Sequence, residues 1–253
     1  MYITTTGLVL RAVPYKESSA ILTVLTASEG KITVSAKGAK RRGSKTATTA
    51  QPLAFSEMTL SGRDGRWTLA EAKCLELFEG LQSDVALLAL GSYFAETMEA
   101  VSNEGQPNPE VLSLGLNALF VLSEGLKEKA LVKAAFELRL MCLSGYEPDL
   151  TECAVCGKKE PENVFLSLTG GILRCGTCRG AEPGAEMALF PGALRAMRYV
   201  VSADAKKVFS FSLGGDAEKQ FCAAAEAYLK VQLDRDFRTL DFYNRVNASA
   251  PKP

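Results

Sequence analysis

Between Cys153 and Cys178 the chain carries two cysteine pairs, Cys153-Ala154-Val155-Cys156 and Cys175-Gly176-Thr177-Cys178, separated by eighteen residues. Cysteines that bracket two residues on a tight turn can turn both thiolates toward one ion, and two such knuckles complete a tetrahedron of sulfurs. Gly157 and Gly176 each follow a cysteine directly, where a knuckle needs relaxed backbone angles. The chain has no histidine, so the site is all-sulfur. Four protein sulfurs leave no position for water, so the spacing predicts one structural Zn2+ ion and not a catalytic one. Two disulfides would need an oxidising compartment, which nothing in the sequence suggests. A thioredoxin-like dithiol would need a single pair at a helix start.

With 253 residues, 47 % of them apolar, the chain can form two domains, or one with an insert. Its N-terminus lacks the basic and apolar regions of a signal peptide, and no run of apolar residues reaches membrane-spanning length. Seven cysteines, an odd number, fit a reducing cytoplasm. Cys74, Cys142 and Cys222 sit in apolar patterns and are expected to be small core residues.

The first eighty residues read as short strands rich in Ile, Val and Thr. They are Gly7–Val13, Ala20–Thr26, Lys31–Ala36, Leu53–Leu60 and Trp67–Ala72, the last two joined by the hairpin signal Gly62-Arg63-Asp64-Gly65. Ser28-Glu29-Gly30 turns between the second and the third. Five strands of this length predict a small barrel of the OB-fold kind, which an SH3-like barrel would resemble at this level. Between the third and fourth strands, Lys37 to Lys45 carries five cations and no acid, although the whole chain balances 29 Lys and Arg against 29 Asp and Glu. The segment is expected to be a long exposed loop on the barrel rim, either charged only for solubility or a phosphate-contact surface. Gly38 to Thr46 nearly spells a phosphate-cradling P-loop, but Ser44 separates Gly43 from Lys45, and the following Thr-rich run to Pro52 makes a poor helix.

From about residue 81 the period turns helical. Ser83 is a candidate cap for a helix facing Leu81, Val85, Leu88, Ala95 and Met98 to one side. Further helices are expected over Glu110–Leu126, over Glu128–Ser144 with Gly145 at its end, from Pro191, and from Asp216. The reading is therefore α+β: an N-terminal five-stranded OB-fold β-barrel over 1–80, then an all-α helical domain over 81–246. That domain is interrupted by a four-cysteine zinc-binding insert (a zinc finger) over 150–182, and the tail 247–253 is expected to fray.

Gly7-Leu8-Val9-Leu10, Glu17-Ser18-Ser19, Gly30-Lys31-Ile32 and Ala36-Lys37-Gly38-Ala39-Lys40-Arg41 together resemble the opening of the recombination mediator family RecO. So does Phe136-Glu137-Leu138-Arg139-Leu140, leading to Gly145-Tyr146-Glu147-Pro148 and the first cysteine pair. The likeness covers nearly the whole chain, in order. It implies an N-terminal OB-fold, a helical domain, and no enzymatic activity. The implied function is binding of single- and double-stranded DNA, annealing of complementary strands, and help in loading RecA where single-strand-binding protein sits. The implied partners are RecR, the acidic C-terminal tail of single-strand-binding protein, and in some cases RecF, with a cytoplasmic, nucleoid-associated location and no membrane. Some family members lack the cysteines, so zinc rests here on the spacing alone.

Lys37, Lys40, Arg41, Arg42 and Lys45 are then the expected DNA-phosphate contacts, with Arg11 and Lys16 as further candidates. Tyr15 and Trp67 offer stacking faces, although aromatics in small barrels more often fill the core. Arg139 is the candidate clamp for a partner's carboxylate tail, with an arginine that pairs with Glu137 or lies on a solvent face as the plainer reading. Arg174 and Arg179 flank the second knuckle and are open to DNA or to simple solubility. Histidine-dependent catalysis is excluded outright. Asp234 and Asp236 read as a solvated helix end, while a Ser–Lys pair stays open. An RNA-binding or transcription factor built from an OB-fold and a zinc ribbon is the other reading.

Overall fold

The structure, a computed structural model, describes residues 1–41, 43–44, 46–63, 66–160, 162–179 and 185–249. Alternating apolar residues carry the first third of the chain into β1 (Tyr2–Tyr15), β2 (Ser19–Thr26), β3 (Gly30–Ala36), β4 (Phe55–Arg63) and β5 (Arg66–Glu76). They close into a barrel in the order β1-β2-β3-β5-β4, the five-stranded arrangement that the sequence predicts. All neighbours run antiparallel except β3 and β5, which meet in a short parallel seam at Val34↔Trp67 and Ser35↔Thr68. β1 starts earlier than expected because its first half pairs with β4 and its second half with β2, with an irregularity between Val9 and Arg11. Leu22, Val24, Val34, Met58 and Leu60 fill the interior, each wholly buried. Asp64 and Gly65 of the expected hairpin turn lie outside the described residues.

After a 3-10 turn at Glu79–Ser83 come α1 (Val85–Val101) and α2 (Pro109–Ser123). Asp84, not Ser83, caps α1: its carboxylate accepts the Ala86 N–H at 2.7 Å. Of the residues expected inside, Leu81, Ala95 and Met98 are buried, but Val85 and Leu88 are 60 % and 43 % exposed, and α1 buries Ala86, Leu90 and Phe94 in their place. α3 (Lys129–Leu143), α4 (Pro191–Ser202) and α5 (Gly215–Leu233) follow, with Gly214 in the N-cap position of α5 and Asp216 inside its first turn instead of capping it. A sixth helix, α6 (Arg238–Ser249), occupies a stretch where the sequence predicts no helix of its own, and it includes residues 247–249 of the tail expected to fray. The cysteine insert holds a small sheet of β6 (Asp149–Cys153), β7 (Val164–Ser167), β8 (Ile172–Cys175) and β9 (Glu186–Leu189), in the order β6-β8-β7-β9. Cys74, Cys142 and Cys222 are half-buried, not core residues.

The chain divides into two compact units, Met1–Glu124 together with the chain from Phe237 on, and Gly125–Asp236. In the first, α6 packs on α1, where Tyr93 meets Phe237 edge-on at 5.7 Å. In the second, α3 packs on α5 around Phe136 and Phe221, and Lys133 bridges Glu137 and Glu226 at 2.7 Å each.

Gly30 closes the β2–β3 turn at φ +68°, and a Cβ there would sit 2.2 Å from the Gln106 carbonyl oxygen. Gly30→Ala is expected to cost about 1–3 kcal/mol for overpacking, on top of about 1–2 kcal/mol of left-handed strain. Gly105 has φ +67° and nothing within 4 Å of an added Cβ. Gly105→Ala should therefore cost the strain alone, and urea midpoints of the two variants separate the contributions.

Candidate functional site

Two constellations stand out, one on each unit. On the first, the connection leaving β3 folds back to the β1–β2 turn. Lys40 N–H donates to the Ser18 carbonyl at 2.9 Å, and Gly38 N–H to the Ser19 hydroxyl at 3.4 Å. These two bonds set Lys37, Lys40 and Arg41 beside the turn that carries Lys16, and all four cations are exposed. None of the four forms an ion pair among the described residues, although Glu17 shares the turn. Arg42 and Lys45 lie outside the described residues. The loop is less loose than expected, because Ala39 and Ala50 are buried in the barrel core cluster. No strand-to-helix phosphate cradle occurs there among the described residues: positions 37–40 and 46–50 are turns.

Of the two aromatic candidates, Tyr15 is 48 % exposed, with the Lys16 ammonium 5.3 Å from its ring centroid. Trp67 packs partly buried against the barrel core. Arg11 lies further along β1 and is held by Glu99 through a bidentate contact at 2.8 and 3.2 Å, whose hydrogen bond and charge raise the arginine's pKa above its ordinary value.

On the second unit the four cysteine sulfurs of Cys153, Cys156, Cys175 and Cys178 lie within 4.8 Å of one another, so this set can hold a metal ion. The local fold explains the meeting. β6 and β8 run parallel and each ends in a cysteine, so their two following turns lie side by side. Gly157, at φ +70°, closes the first turn by donating to the Cys153 carbonyl at 2.9 Å. Gly176 is not in the left-handed region, and an added Cβ there would meet Asn163 at 3.2 Å, so close approach is what it supplies. The Cys175 N–H donates to the Cys153 sulfur, and the Thr177 hydroxyl lies 3.0 Å from the Cys175 sulfur. That hydroxyl leads the causes pushing Cys175 down to about 6, while hydrogen bonding with Cys175 and Cys156 pushes Cys178 up to about 12. Burial pushes Cys142 and Cys222 up to about 12 and about 11, which leaves both as protonated, inert thiols at neutral pH.

The arginines around the knuckles are tied to the protein itself. Arg179 pairs with Glu186 at 2.8 Å and lies 4.2 Å over the Phe165 ring, and Arg174 reaches the same carboxylate at 3.7 Å. Arg198, which sequence reasoning passed over, donates to the Leu150, Thr151 and Lys159 carbonyls and to Glu160, strapping α4 to the first knuckle. Its partners lie 38 to 48 residues away, so no local pattern announces it. Arg139, half-buried on α3, donates to the Val200 and Val201 carbonyls near the end of α4. Its plainer reading as a partner of Glu137 does not appear among its described hydrogen bonds, and Glu137 pairs with Lys133.

Two outcomes follow from this geometry. Cys175→Ser should abolish metal binding, measured by elemental analysis of purified protein, and lower the melting temperature, as chelation of the unmodified chain should. Arg139→Ala should cost about 1–2 kcal/mol, as loss of a charged donor at a helix end, measured by urea unfolding.

Residues 1–78 match the family model described as recombination protein O N terminal, and residues 82–241 match the one described as recombination protein O C terminal. The chain is similar to the DNA repair protein RecO of Caldicellulosiruptor bescii, 31 % identical over 96 % of this chain and 98 % of that protein. It is 28 % identical to the DNA repair protein RecO of Acetivibrio thermocellus over 97 % of this chain and 98 % of that one. For the Alkaliphilus metalliredigens protein of the same name the identity is 29 %, covering 97 % of this chain and all of that protein. With both halves matched in order across the barrel and the helices, the chain belongs to the recombination protein O family, RecO.

Proposed function

We propose that the chain is a non-enzymatic recombination mediator that binds single- and double-stranded DNA, anneals complementary strands and helps load RecA on DNA coated by single-strand-binding protein. The observation that carries this reading is the exposed group Lys16, Lys37, Lys40 and Arg41 on one side of the barrel, with no acid of the described chain paired to it. Arg42 and Lys45 belong to the same run of sequence and are proposed as further phosphate contacts. Annealing makes no bond. It needs two polyanions held together with their charge screened and their bases free to pair, and cations on a barrel rim supply this through phosphate contacts. Tyr15 adds an exposed ring on which a base can stack.

The ion at Cys153, Cys156, Cys175 and Cys178 is proposed to be one structural Zn2+. Zinc–sulfur bonds of about 2.3 Å give sulfur–sulfur edges of about 3.8 Å in a tetrahedron. The Cys156 and Cys175 sulfurs lie 3.9 Å apart. When bound, the ion links the two knuckles and does no chemistry, and the chain's own part is to keep four thiolates converged on it. The proposed protein partners are RecR and the acidic tail of single-strand-binding protein, with RecF a partner only in some cases, in a cytoplasmic, nucleoid-associated setting. No helix among the described residues is long and apolar enough to cross a membrane.

Charge reversal at Lys40 and Arg41 together should weaken single-stranded DNA binding and flatten the slope of log K against log salt by about 0.7 for each phosphate no longer engaged. Labelled-oligonucleotide titrations across a salt series read both, and an unchanged slope would end the proposal. Arg11, already engaged by Glu99, is the internal contrast. Arg11→Ala should leave the slope unchanged and cost at most about 1 kcal/mol of stability, as exposed pairs do. RNA competing better than DNA in the same titration would favour an RNA-binding role. For Arg139, a tail peptide that binds Arg139→Ala as well as the unmodified chain removes the tail-clamp role, and weakened affinity assigns it.

A further inference from the structure

One strand of the barrel is paired along most of its length on only one side. β5 pairs with β4 from Arg63↔Arg66 to Phe55↔Glu76, yet it meets β3 only at Trp67 and Thr68. Beyond Thr68 no backbone hydrogen bond reaches that second edge among the described residues. Ala70, Glu71, Lys73, Leu75 and Glu76 are all exposed. The β4–β5 ladder is irregular near Ala70 and near Leu75, which leaves Glu71–Cys74 as a straight open stretch. A free edge of this kind is a row of N–H and C=O groups on which another extended chain can pair, and no proline occurs from Arg66 to Leu77 to blunt it.

Charge indicates the kind of chain that fits. At the end of β5 lies a groove of about 370 Å³ lined by Cys74, Leu75, Glu76, Glu79, Ser123 and Glu124 among others. Glu76, Glu79 and Glu124 line it, one Glu76 carboxylate oxygen accepting the Leu77 and Phe78 N–H groups; Glu71 stands on the open strand just before it, and none of the four is ion-paired among the described residues. Lys73, the cation of this stretch, faces Glu57 across the β4 ladder. α2 ends at Ser123, so its C-terminal carbonyls add partial negative charge to the same groove. A polyanion is repelled here, so this surface is separate from the rim cations and does not rest on the nucleic-acid reading.

We infer that the open edge of β5 is a docking strand for an extended, basic segment of a partner protein, which adds to the barrel sheet and sets its cations against Glu71, Glu76, Glu79 and Glu124. The probe is a blocked hexapeptide alternating Lys or Arg with Val, added to the full chain, with binding read by fluorescence anisotropy. Hydrogen exchange should slow at residues 70–77. Replacing its basic residues by Glu, or N-methylating its alternate amides, should weaken binding by about tenfold or more. The double variant Glu71→Lys/Glu79→Lys, at two exposed side chains, should weaken binding of the unmodified peptide about tenfold while keeping the melting temperature of the unsubstituted protein. The inference is overturned if the N-methylated peptide binds equally well, if protection appears elsewhere, or if the acidic peptide matches the basic one. It is equally overturned if the chain alone self-associates with residues 70–77 already protected, since the occupant is then a second copy.

Discussion

A barrel of five short strands is filled by its own side chains, and its ends must be stopped with apolar groups if water is to stay out. Here the connection between β3 and β4 supplies Ala39 and Ala50, both buried with Val9, Val34, Met58 and Leu60. Ala39 stands between Gly38 and Lys40, so pinning it inward turns its neighbours out. The same residue that completes the core therefore fixes the charged side of the barrel. A loop held in this way loses less freedom when it meets a ligand than a loose one, which lowers the cost of binding.

The fate of the arginines gives the cationic rim its meaning. Arg11 is held by Glu99, Arg174 and Arg179 converge on Glu186, Arg198 straps backbone carbonyls, and Arg139 meets the end of α4. In each case the guanidinium uses its charge inside the protein, where its rigid fork suits carboxylates and carbonyls. The chain has no net charge, so the cations beside Ser18, unpaired among the described residues, are a local excess and not part of a general basic character.

The barrel strands were legible because β-branched residues alternate over stretches long enough to register, and the cysteine cluster because its spacing is itself the geometry. The insert's small sheet was hidden, since strands of four or five residues are too short to show a period. α6 was missed behind Asp234-Arg235-Asp236, which reads as a solvated helix end, although Phe237, Leu240 and Tyr243 recur at three-residue spacing and are all buried. Val85 and Leu88 misled because they carry helical spacing on the exposed side of α1. The contact of Arg11 with Glu99 spans 88 residues of chain, and no local pattern reports such a meeting.

The first unit is written in two pieces, with Gly125–Asp236 between them. Phe237 and its neighbours cover Tyr93 on α1, yet they leave the ribosome only after the whole of the intervening unit has been made. At about 5–20 residues per second, α1 waits several seconds with that aromatic surface bare. The inserted unit, contiguous in the chain, is free to fold during the wait, so the amino-terminal half of this molecule is the last to be finished.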